Sequence, residues 1–122
     1  MSKVLIIEDE KPLSDAYRMI LEKEGYKVSV AHDGEEGLKI AEATTPDLIL
    51  LDLKMPRMDG LGFLKAYKPD RHPKVRIIVF SNLDMQKEID QAHELGANRY
   101  ILKAWASPKE LARLVKETLA QK

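Results

Sequence analysis

Acidic, hydroxyl and ammonium side chains stand where short apolar runs of this sequence end. Glu8 and Asp9 follow the first run, and Asp52 ends the central one. Ser81 and Lys103 follow the last two runs. If the runs are parallel strands, their carboxyl ends share one edge of a sheet, which is where open α/β sheets bind ligands. We therefore expect these carboxylates, the hydroxyl and the ammonium to meet in one crevice.

Crowded carboxylates point to a bound cation and to phosphoryl transfer. Neighbouring carboxylates repel one another, and a hard cation with oxygen ligands, such as Mg²⁺, relieves that repulsion. Asp52, neutralised in this way, can attack phosphorus as a nucleophile. Phosphoryl transfer also needs positive charge and hydrogen-bond donors, which Lys103 and Ser81 can supply. Each residue alone has an ordinary explanation as a helix cap, a turn residue or a surface lysine, but their joint occurrence favours a phosphoryl-acceptor site.

Hydrophobic patterning predicts five strands that position these residues. A continuous apolar run predicts a strand buried on both faces, whereas alternation of polar and apolar residues predicts an edge strand. By these criteria the central strand covers residues 47–52 and the edge strand covers residues 27–31. The other strands cover residues 4–7, 75–80 and 99–102.

A helix is predicted after each strand from apolar spacing, capping residues and breakers. The breaker-rich segment 68–73 is predicted to be a loop. Strict alternation of strands and helices implies a doubly wound α/β fold, a parallel sheet with helices on both faces. The predicted helices run from Pro12 to Gly25, from Gly34 to about Ala43, from about Leu61 to Tyr67, from the cap Asp84 to Gly96, and from the capping box Ser107–Glu110 past Leu119.

The composition narrows the possible function classes. The chain has 122 residues, 44% of them hydrophobic and 33% charged, which suits one domain over residues 1–122. Because 20 basic residues balance 20 acidic ones, no net charge favours nucleic acid or a membrane surface as partner. The absence of cysteine excludes thiolate metal sites and cysteine nucleophiles. No apolar run is long enough to span a bilayer and no signal peptide is recognisable, so we expect a cytoplasmic location.

With these residues placed, the chain resembles the receiver domain of two-component response regulators over essentially its whole length. The most specific part of the resemblance is the segment 52–60, Asp-Leu-Lys-Met-Pro-Arg-Met-Asp-Gly, which is similar to the phosphoacceptor loop of that family. The resemblance implies a flavodoxin-like (βα)5 fold with the strand order 2-1-3-4-5. It also implies a signalling switch that takes a phosphoryl group from a sensor histidine kinase, a phosphotransfer protein or a small acyl phosphate.

The same resemblance implies roles for the residues at the strand ends. Asp52 would accept the phosphoryl group, and Lys103 would pair with the phosphate. Asp9 would bind Mg²⁺ directly and Glu8 mainly through water, with Asp52 and the backbone carbonyl of Lys54 as further ligands. Such domains are regulators rather than enzymes, with at most weak magnesium-dependent self-phosphorylation and autodephosphorylation.

The resemblance also implies two switch residues. Ser81 would follow the phosphoryl group, and Tyr100 would rotate inward with it. The change would reach the face formed by helix 4, strand 5 and helix 5, where a downstream effector would bind. No effector domain is recognisable, so the chain is expected to be either a stand-alone receiver or a piece of a longer regulator.

Three departures from the family pattern carry structural expectations. Ala104 stands where the family has proline after the lysine, in a cis peptide bond. Because a cis bond before a residue other than proline costs about 2.5–4 kcal/mol, we expect a trans bond and an altered loop. Asn82 stands where a small residue usually follows the serine, so it would slow access to the phosphate. The segment 97–100 lacks the paired acids of many DNA-binding regulators, which argues against their type of symmetric dimer.

Two alternative functions come from other classes. An aspartyl-phosphate hydrolase would carry an acid two residues after its nucleophile, but Lys54 stands there. A receiver-like scaffold that works without phosphate is compatible with Ala104 and Asn82. A dinucleotide or flavin binder is disfavoured, because the sequence has neither G-x-G-x-x-G nor a Walker loop.

Overall fold

Parallel pairing of five apolar segments builds the sheet of the computed structural model, which describes residues 2–82 and 85–121. The strands lie in the order β2-β1-β3-β4-β5, and each neighbouring pair is parallel. This arrangement confirms the predicted fold class and strand order. The strands are β1 (Lys3–Ile7), β2 (Lys27–Ala31), β3 (Leu48–Asp52), β4 (Arg76–Ser81) and β5 (Arg99–Leu102).

Helices cover both faces of this sheet. The first and the last pack side by side on one face, and the other three pack on the opposite face. The helices are α1 (Lys11–Lys23), α2 (Gly34–Thr44), α3 (Gly60–Tyr67), α4 (Gln86–Glu94) and α5 (Pro108–Ala120). Within the described residues no helix combines the length and the apolar character needed to cross a bilayer.

The central strand β3 is buried on both faces because its side chains alternate between two cores. Ile49 and Leu51 pack in the core beneath α2, α3 and α4, whereas Leu48 and Leu50 pack in the core beneath α1 and α5. Since strand side chains alternate direction at every residue, a strand in this position has to be apolar throughout. The uninterrupted apolar run therefore specifies the central position of β3 in the sheet. Asp52, its last residue, lies at the edge where the parallel strands end.

Local structure departs from the sequence expectations at two turns. The segment predicted to be a plain loop contains a 3₁₀ turn at Pro69–Arg71, and the segment after β5 forms another at Lys103–Trp105. The prediction of a plain loop over residues 68–73 was wrong, because Pro69 is compatible with the first turn of a helix. The predicted cap Asp84 lies outside the described residues.

The start of α5 follows the predicted signal in part. The Ser107 hydroxyl accepts a hydrogen bond from the Glu110 N–H at 3.2 Å, so Ser107 caps the helix as expected. The Glu110 carboxylate pairs with Arg113 at 2.7 Å instead of reaching back to the cap. One half of the predicted capping box is therefore present, and the other half is replaced by an ion pair within the helix.

Gly60 allows α3 to start directly against the end of β3. Its N–H donates to the carbonyl oxygen of Leu53 at 3.2 Å, and the Asp59 side chain caps the helix by accepting from the Gly62 N–H at 2.8 Å. A Cβ at position 60 would lie 2.5 Å from the Asp52 carbonyl oxygen. The glycine therefore sets how closely this helix approaches the strand that carries Asp52.

Replacing Gly60 by alanine should lower the free energy of unfolding by about 1–3 kcal/mol, the usual cost of overpacking. The added Cβ would meet backbone atoms of Asp52 and Leu53, at 2.5 and 2.7 Å, and these cannot move aside unless the end of β3 shifts. Urea unfolding measures the loss.

Gly62→Ala is the matched control for this prediction. A Cβ at position 62 would meet only side-chain atoms of Met58 and Asp59, at 3.1 and 3.3 Å, and alanine favours a helix over glycine. We expect this variant to lose much less stability. Equal losses in the two variants would contradict the close approach at Gly60.

Candidate functional site

Three carboxylates meet at the carboxyl ends of β1 and β3. These strands are neighbours with Ile7 opposite Leu51, so the residues that follow them lie side by side. One carboxylate oxygen each of Glu8, Asp9 and Asp52 lie within 4.8 Å of one another. The Glu8 and Asp52 side chains are 0% and 2% exposed, whereas Asp9 is the most exposed of the three. The structure thus brings the three predicted acids together.

Lys103 bridges the two buried carboxylates. Its Nζ donates to Asp52 Oδ2 at 3.0 Å and lies 3.3 Å from Glu8 Oε1. The other Asp52 oxygen, Oδ1, accepts from the backbone N–H of Lys54 at 3.1 Å. Both oxygens of Asp52 are therefore held in place. The Lys54 amide is oriented by Asp52, and a role for its carbonyl as a ligand stays a prediction.

The charges at this edge fit a divalent cation. When all groups are ionised, Lys103 neutralises only one of the three carboxylates and leaves two negative charges uncompensated. Burial, together with the neighbouring Asp52 carboxylate, raises the pKa of Glu8 from 4.5 to about 8. Burial lowers the pKa of Lys103, but its hydrogen bond to Asp52 and the nearby acids outweigh that effect and raise it. An oxygen-only donor set with an uncompensated double charge suits Mg²⁺.

The Ser81 hydroxyl is buried without a partner. Ser81 ends β4, next to the end of β3, and is 1% exposed. Within the described residues, its Oγ has no hydrogen-bond partner. A buried hydroxyl without a partner costs about 1–3 kcal/mol, so its place beside an acidic crevice calls for an explanation.

Tyr100 lies away from the acids. It stands on β5 opposite Val79 and is 53% exposed. It lines a groove of about 780 Å³ between α4 and β5, where Ile89, Ala97 and Leu114 provide apolar walls. The structure therefore places Tyr100 on the surface formed by α4, β5 and α5, next to a space large enough for an aromatic ring.

The turn that carries Lys103 has the backbone expected without proline. The peptide bond between Lys103 and Ala104 is trans, as predicted. The chain enters a 3₁₀ turn at Lys103, closed by the Ala106 N–H donating to the Lys103 carbonyl at 3.2 Å. A residue before a trans proline avoids such helical conformations. Alanine at position 104 thus permits this turn.

Sequence reasoning missed the pair that fastens the loop after β3. The Arg57 Nε donates to Asp33 Oδ2 at 2.8 Å, and the Gly34 N–H donates to the Met58 carbonyl at 2.9 Å. The N–H of Glu36 and the Arg57 guanidinium hold the pKa of Asp33 below its usual range. These contacts tie the loop that follows Asp52 to the start of α2.

A second missed residue is Tyr17, which the sequence suggested only as part of the apolar stripe of α1. Its hydroxyl donates to the Ala106 carbonyl oxygen at 2.8 Å. Neither Tyr17 nor the loop-fastening pair has a local signal, because their partners lie 89 and 24 residues away in the chain.

Known proteins share both this sequence pattern and this fold. Residues 4–116 match the family described as "Response regulator receiver domain". The chain is 37% identical over 119 residues to the alkaline phosphatase synthesis transcriptional regulatory protein PhoP of Bacillus subtilis, covering 96% of this chain and 48% of that protein. It is 32% identical over 114 residues to the transcriptional regulatory protein CpxR of Escherichia coli, covering 93% of this chain and 48% of that protein.

Solved structures agree with this relationship. A CheY-like receiver domain protein from Methanospirillum hungatei superposes with a TM-score of 0.90 at 30% identity, over 98% of this chain and 94% of that one. Vibrio cholerae chemotaxis protein CheY4 superposes with a TM-score of 0.88 at 27% identity, over 98% and 99%. The chain belongs to the response regulator receiver domain family. It spans about half the length of the curated relatives it matches.

The raised pKa of Glu8 predicts that stability falls as the pH rises from about 4.5 to about 8. In the unfolded chain Glu8 ionises near its ordinary value of 4.5, whereas in the folded protein it holds its proton up to about 8. Between these values the folded state binds more protons, so stability is greatest below the lower value and is lost through this window. The slope contributed by Glu8 is at most about 1.4 kcal/mol per pH unit.

Urea unfolding at a series of pH values measures this effect, and Glu8→Gln isolates it. The difference in unfolding free energy between wild type and Glu8→Gln should change across the window, because glutamine does not titrate. Saturating Mg²⁺ should weaken the wild-type dependence, since a bound cation favours the ionised carboxylate. Parallel curves for the two proteins would contradict the assignment.

Proposed function

We propose that this chain is a phosphoacceptor switch in which Asp52 takes the phosphoryl group from a sensor histidine kinase, a phosphotransfer protein or a small phosphodonor. The observation that carries the proposal is the placement of Asp52. Asp52 is buried at the carboxyl end of the central strand, where its carboxylate accepts a hydrogen bond from Lys103 and lies beside Glu8 and Asp9. Membership of the receiver domain family supports the same function.

The residues around Asp52 suit each part of the transfer. A carboxylate oxygen of Asp52 forms a bond to phosphorus while the bond to the donor breaks, and the leaving group departs with that electron pair. Glu8, Asp9, Asp52 and the Lys54 carbonyl would hold Mg²⁺, which neutralises charge on the carboxylate and the phosphoryl oxygens. Lys103 supplies the remaining positive charge and stays as the partner of the phosphate. None of these residues is assigned as a base that activates water, so autodephosphorylation of the aspartyl phosphate would be weak. Self-phosphorylation by small donors would be weak as well.

Ser81 and Tyr100 carry the change to the effector surface. The unpartnered Ser81 hydroxyl gains a hydrogen-bond acceptor when a phosphoryl oxygen arrives beside it. Tyr100 can then turn into the groove beside Val79 and Ile89, which changes the surface of α4, β5 and α5. A downstream effector binds that surface in this proposal, in the cytoplasm and without direct contact of this chain with nucleic acid or membrane.

The central test is the formation of one aspartyl phosphate. Incubation with Mg²⁺ and acetyl phosphate should add a single phosphoryl group by intact-mass measurement, and Asp52→Asn should abolish it because an amide is not a nucleophile toward phosphorus. Removal of Mg²⁺ with a chelator should also suppress the adduct, because the crowded acids are then uncompensated.

Asp59→Asn is the matched control for this test. Asp59 lies in the same loop but caps α3, and asparagine caps a helix equally well, so its adduct should form at the wild-type level. Absence of an adduct with every donor and kinase tried would favour the phosphorylation-independent scaffold. Rapid multiple turnover on phosphate esters would favour the aspartyl-phosphate hydrolase.

A second test distinguishes the phosphoacceptor role of Asp52 from the switch role of Ser81. Ser81→Ala should leave the unfolding free energy unchanged or raise it by up to about 1–3 kcal/mol, because it removes a buried hydroxyl that has no hydrogen-bond partner among the described residues. The adduct on Asp52 should still form. Hydrogen exchange of residues 86–102 should change on phosphorylation in the wild type and should no longer respond in this variant.

Ser14→Ala provides the contrast for the stability part. Ser14 is equally buried, but its hydroxyl donates to the Lys11 carbonyl at 3.1 Å. Its loss should cost about 0.5–1.5 kcal/mol, the net value of a hydrogen bond, and leave the exchange response intact. A wild-type exchange response in Ser81→Ala would remove Ser81 from the switch.

A further inference from the structure

The turn that carries Lys103 is fixed before it by β5, which pairs with β4 up to Leu102, and after it at Ala106. One backbone hydrogen bond closes the turn, from the Ala106 N–H to the Lys103 carbonyl. The side chains of Ala104 and Trp105 are exposed, Trp105 at 70%, so they add little packing. Ala106 is buried at 5% exposure. The course of the turn after Lys103 therefore depends on what fixes Ala106.

Tyr17 fixes Ala106 from α1. Its hydroxyl donates to the Ala106 carbonyl at 2.8 Å, and its side chain is fully buried. Its ring stacks on Phe80, with ring centres 5.3 Å apart and planes 9° apart. Phe80 lies opposite Asp52 in the sheet and directly precedes Ser81. The hydroxyl is thus carried by a ring packed against the rigid strand end that also forms the site.

The hydroxyl does more than fill the core. A phenylalanine would occupy the same volume and keep the stacking on Phe80, so the apolar core alone does not require the oxygen. Burial raises the pKa of Tyr17 to about 12, so the group remains a hydrogen-bond donor at neutral pH. The Ala106 carbonyl has lost contact with water at this depth and depends on that donor.

We propose that Tyr17 is a positioning residue whose hydroxyl, through the Ala106 carbonyl and the 3₁₀ turn, keeps the Lys103 ammonium on Asp52. The inference rests on the proposed phosphoacceptor function of Asp52. Lys103 is only 21% exposed and reaches Asp52 at 3.0 Å, so a shift of its backbone weakens the contact with the carboxylate. Tyr17 touches neither the donor nor the carboxylates and acts only through the turn.

Tyr17→Phe tests the positioning role. The rate of phosphorylation by acetyl phosphate with Mg²⁺ should fall roughly fivefold to tenfold, the size of one lost hydrogen bond. In a Lys103→Met background, Tyr17→Phe should cause no further loss, because the residue through which it acts is absent. Tyr67→Phe is the matched control, since Tyr67 is a buried tyrosine in the opposite core, and its rate should equal wild type.

Fluorescence anisotropy of Trp105, the only tryptophan, gives a readout that needs no phosphorylation. It should fall in Tyr17→Phe and stay unchanged in Tyr67→Phe, because only the first variant releases the turn.

The outcomes separate the two proposals. A wild-type rate in Tyr17→Phe, or the same fold-loss with and without Lys103, would overturn the positioning role, as would unchanged anisotropy. If the wild-type chain accepts no phosphoryl group, the proposed function is overturned, and so is the positioning role of Tyr17 that rests on it.

Discussion

The burial of two carboxylates side by side is the constraint on which the rest of the site depends. Glu8 and Asp52 follow neighbouring parallel strands and are both almost fully buried, so their repulsion is felt in a medium of low polarity. One ammonium, Lys103, offsets part of that repulsion, and a proton on Glu8 offsets more. Metal binding must displace that proton. Under the proposed function, the acidic edge would change from a protonated form to a metal-bound form, and the second would be the one suited to phosphoryl transfer.

The sequence specified the sheet well because the reasons for the sheet are local. The uninterrupted apolar residues of β3 follow from its burial on both faces, and the alternation in β2 follows from its place at the edge of the sheet, where most of its residues are only partly buried. Glu8 and Asp52 could be placed together because parallel strands end at the same edge. The contacts of Tyr17 and Arg57 could not be predicted, because each joins segments distant in the chain through side-chain atoms whose direction depends on the finished packing. The 3₁₀ turn at Lys103 could not be predicted for the same reason, because it depends on the burial of Ala106 and on its hydrogen bond to Tyr17.

The site combines elements of different rigidity. Glu8 and Asp52 are fixed by the sheet itself, whose centre has no freedom to move without disturbing both cores. The loop after Asp52 gains its order from outside, through the Arg57–Asp33 ion pair and the capping of α2. Lys103 comes from a short turn with exposed side chains. Glu8 and Asp52 therefore form the rigid part of the site, whereas Lys103 and the loop after Asp52 are held by contacts from neighbouring elements.

The buried hydroxyl of Ser81 has a consequence for the balance between two conformations. A modification shifts such a balance only by interacting differently with its two members. Because the Ser81 Oγ lacks a hydrogen-bond partner among the described residues, the unmodified conformation contains an unsatisfied buried hydroxyl. Under the proposed function, a phosphoryl group on Asp52 would give that hydroxyl the hydrogen-bond acceptor that it lacks. The unmodified form would then lie closer in free energy to the activated one, so a phosphoryl group at Asp52 would need to supply less free energy to reverse their order.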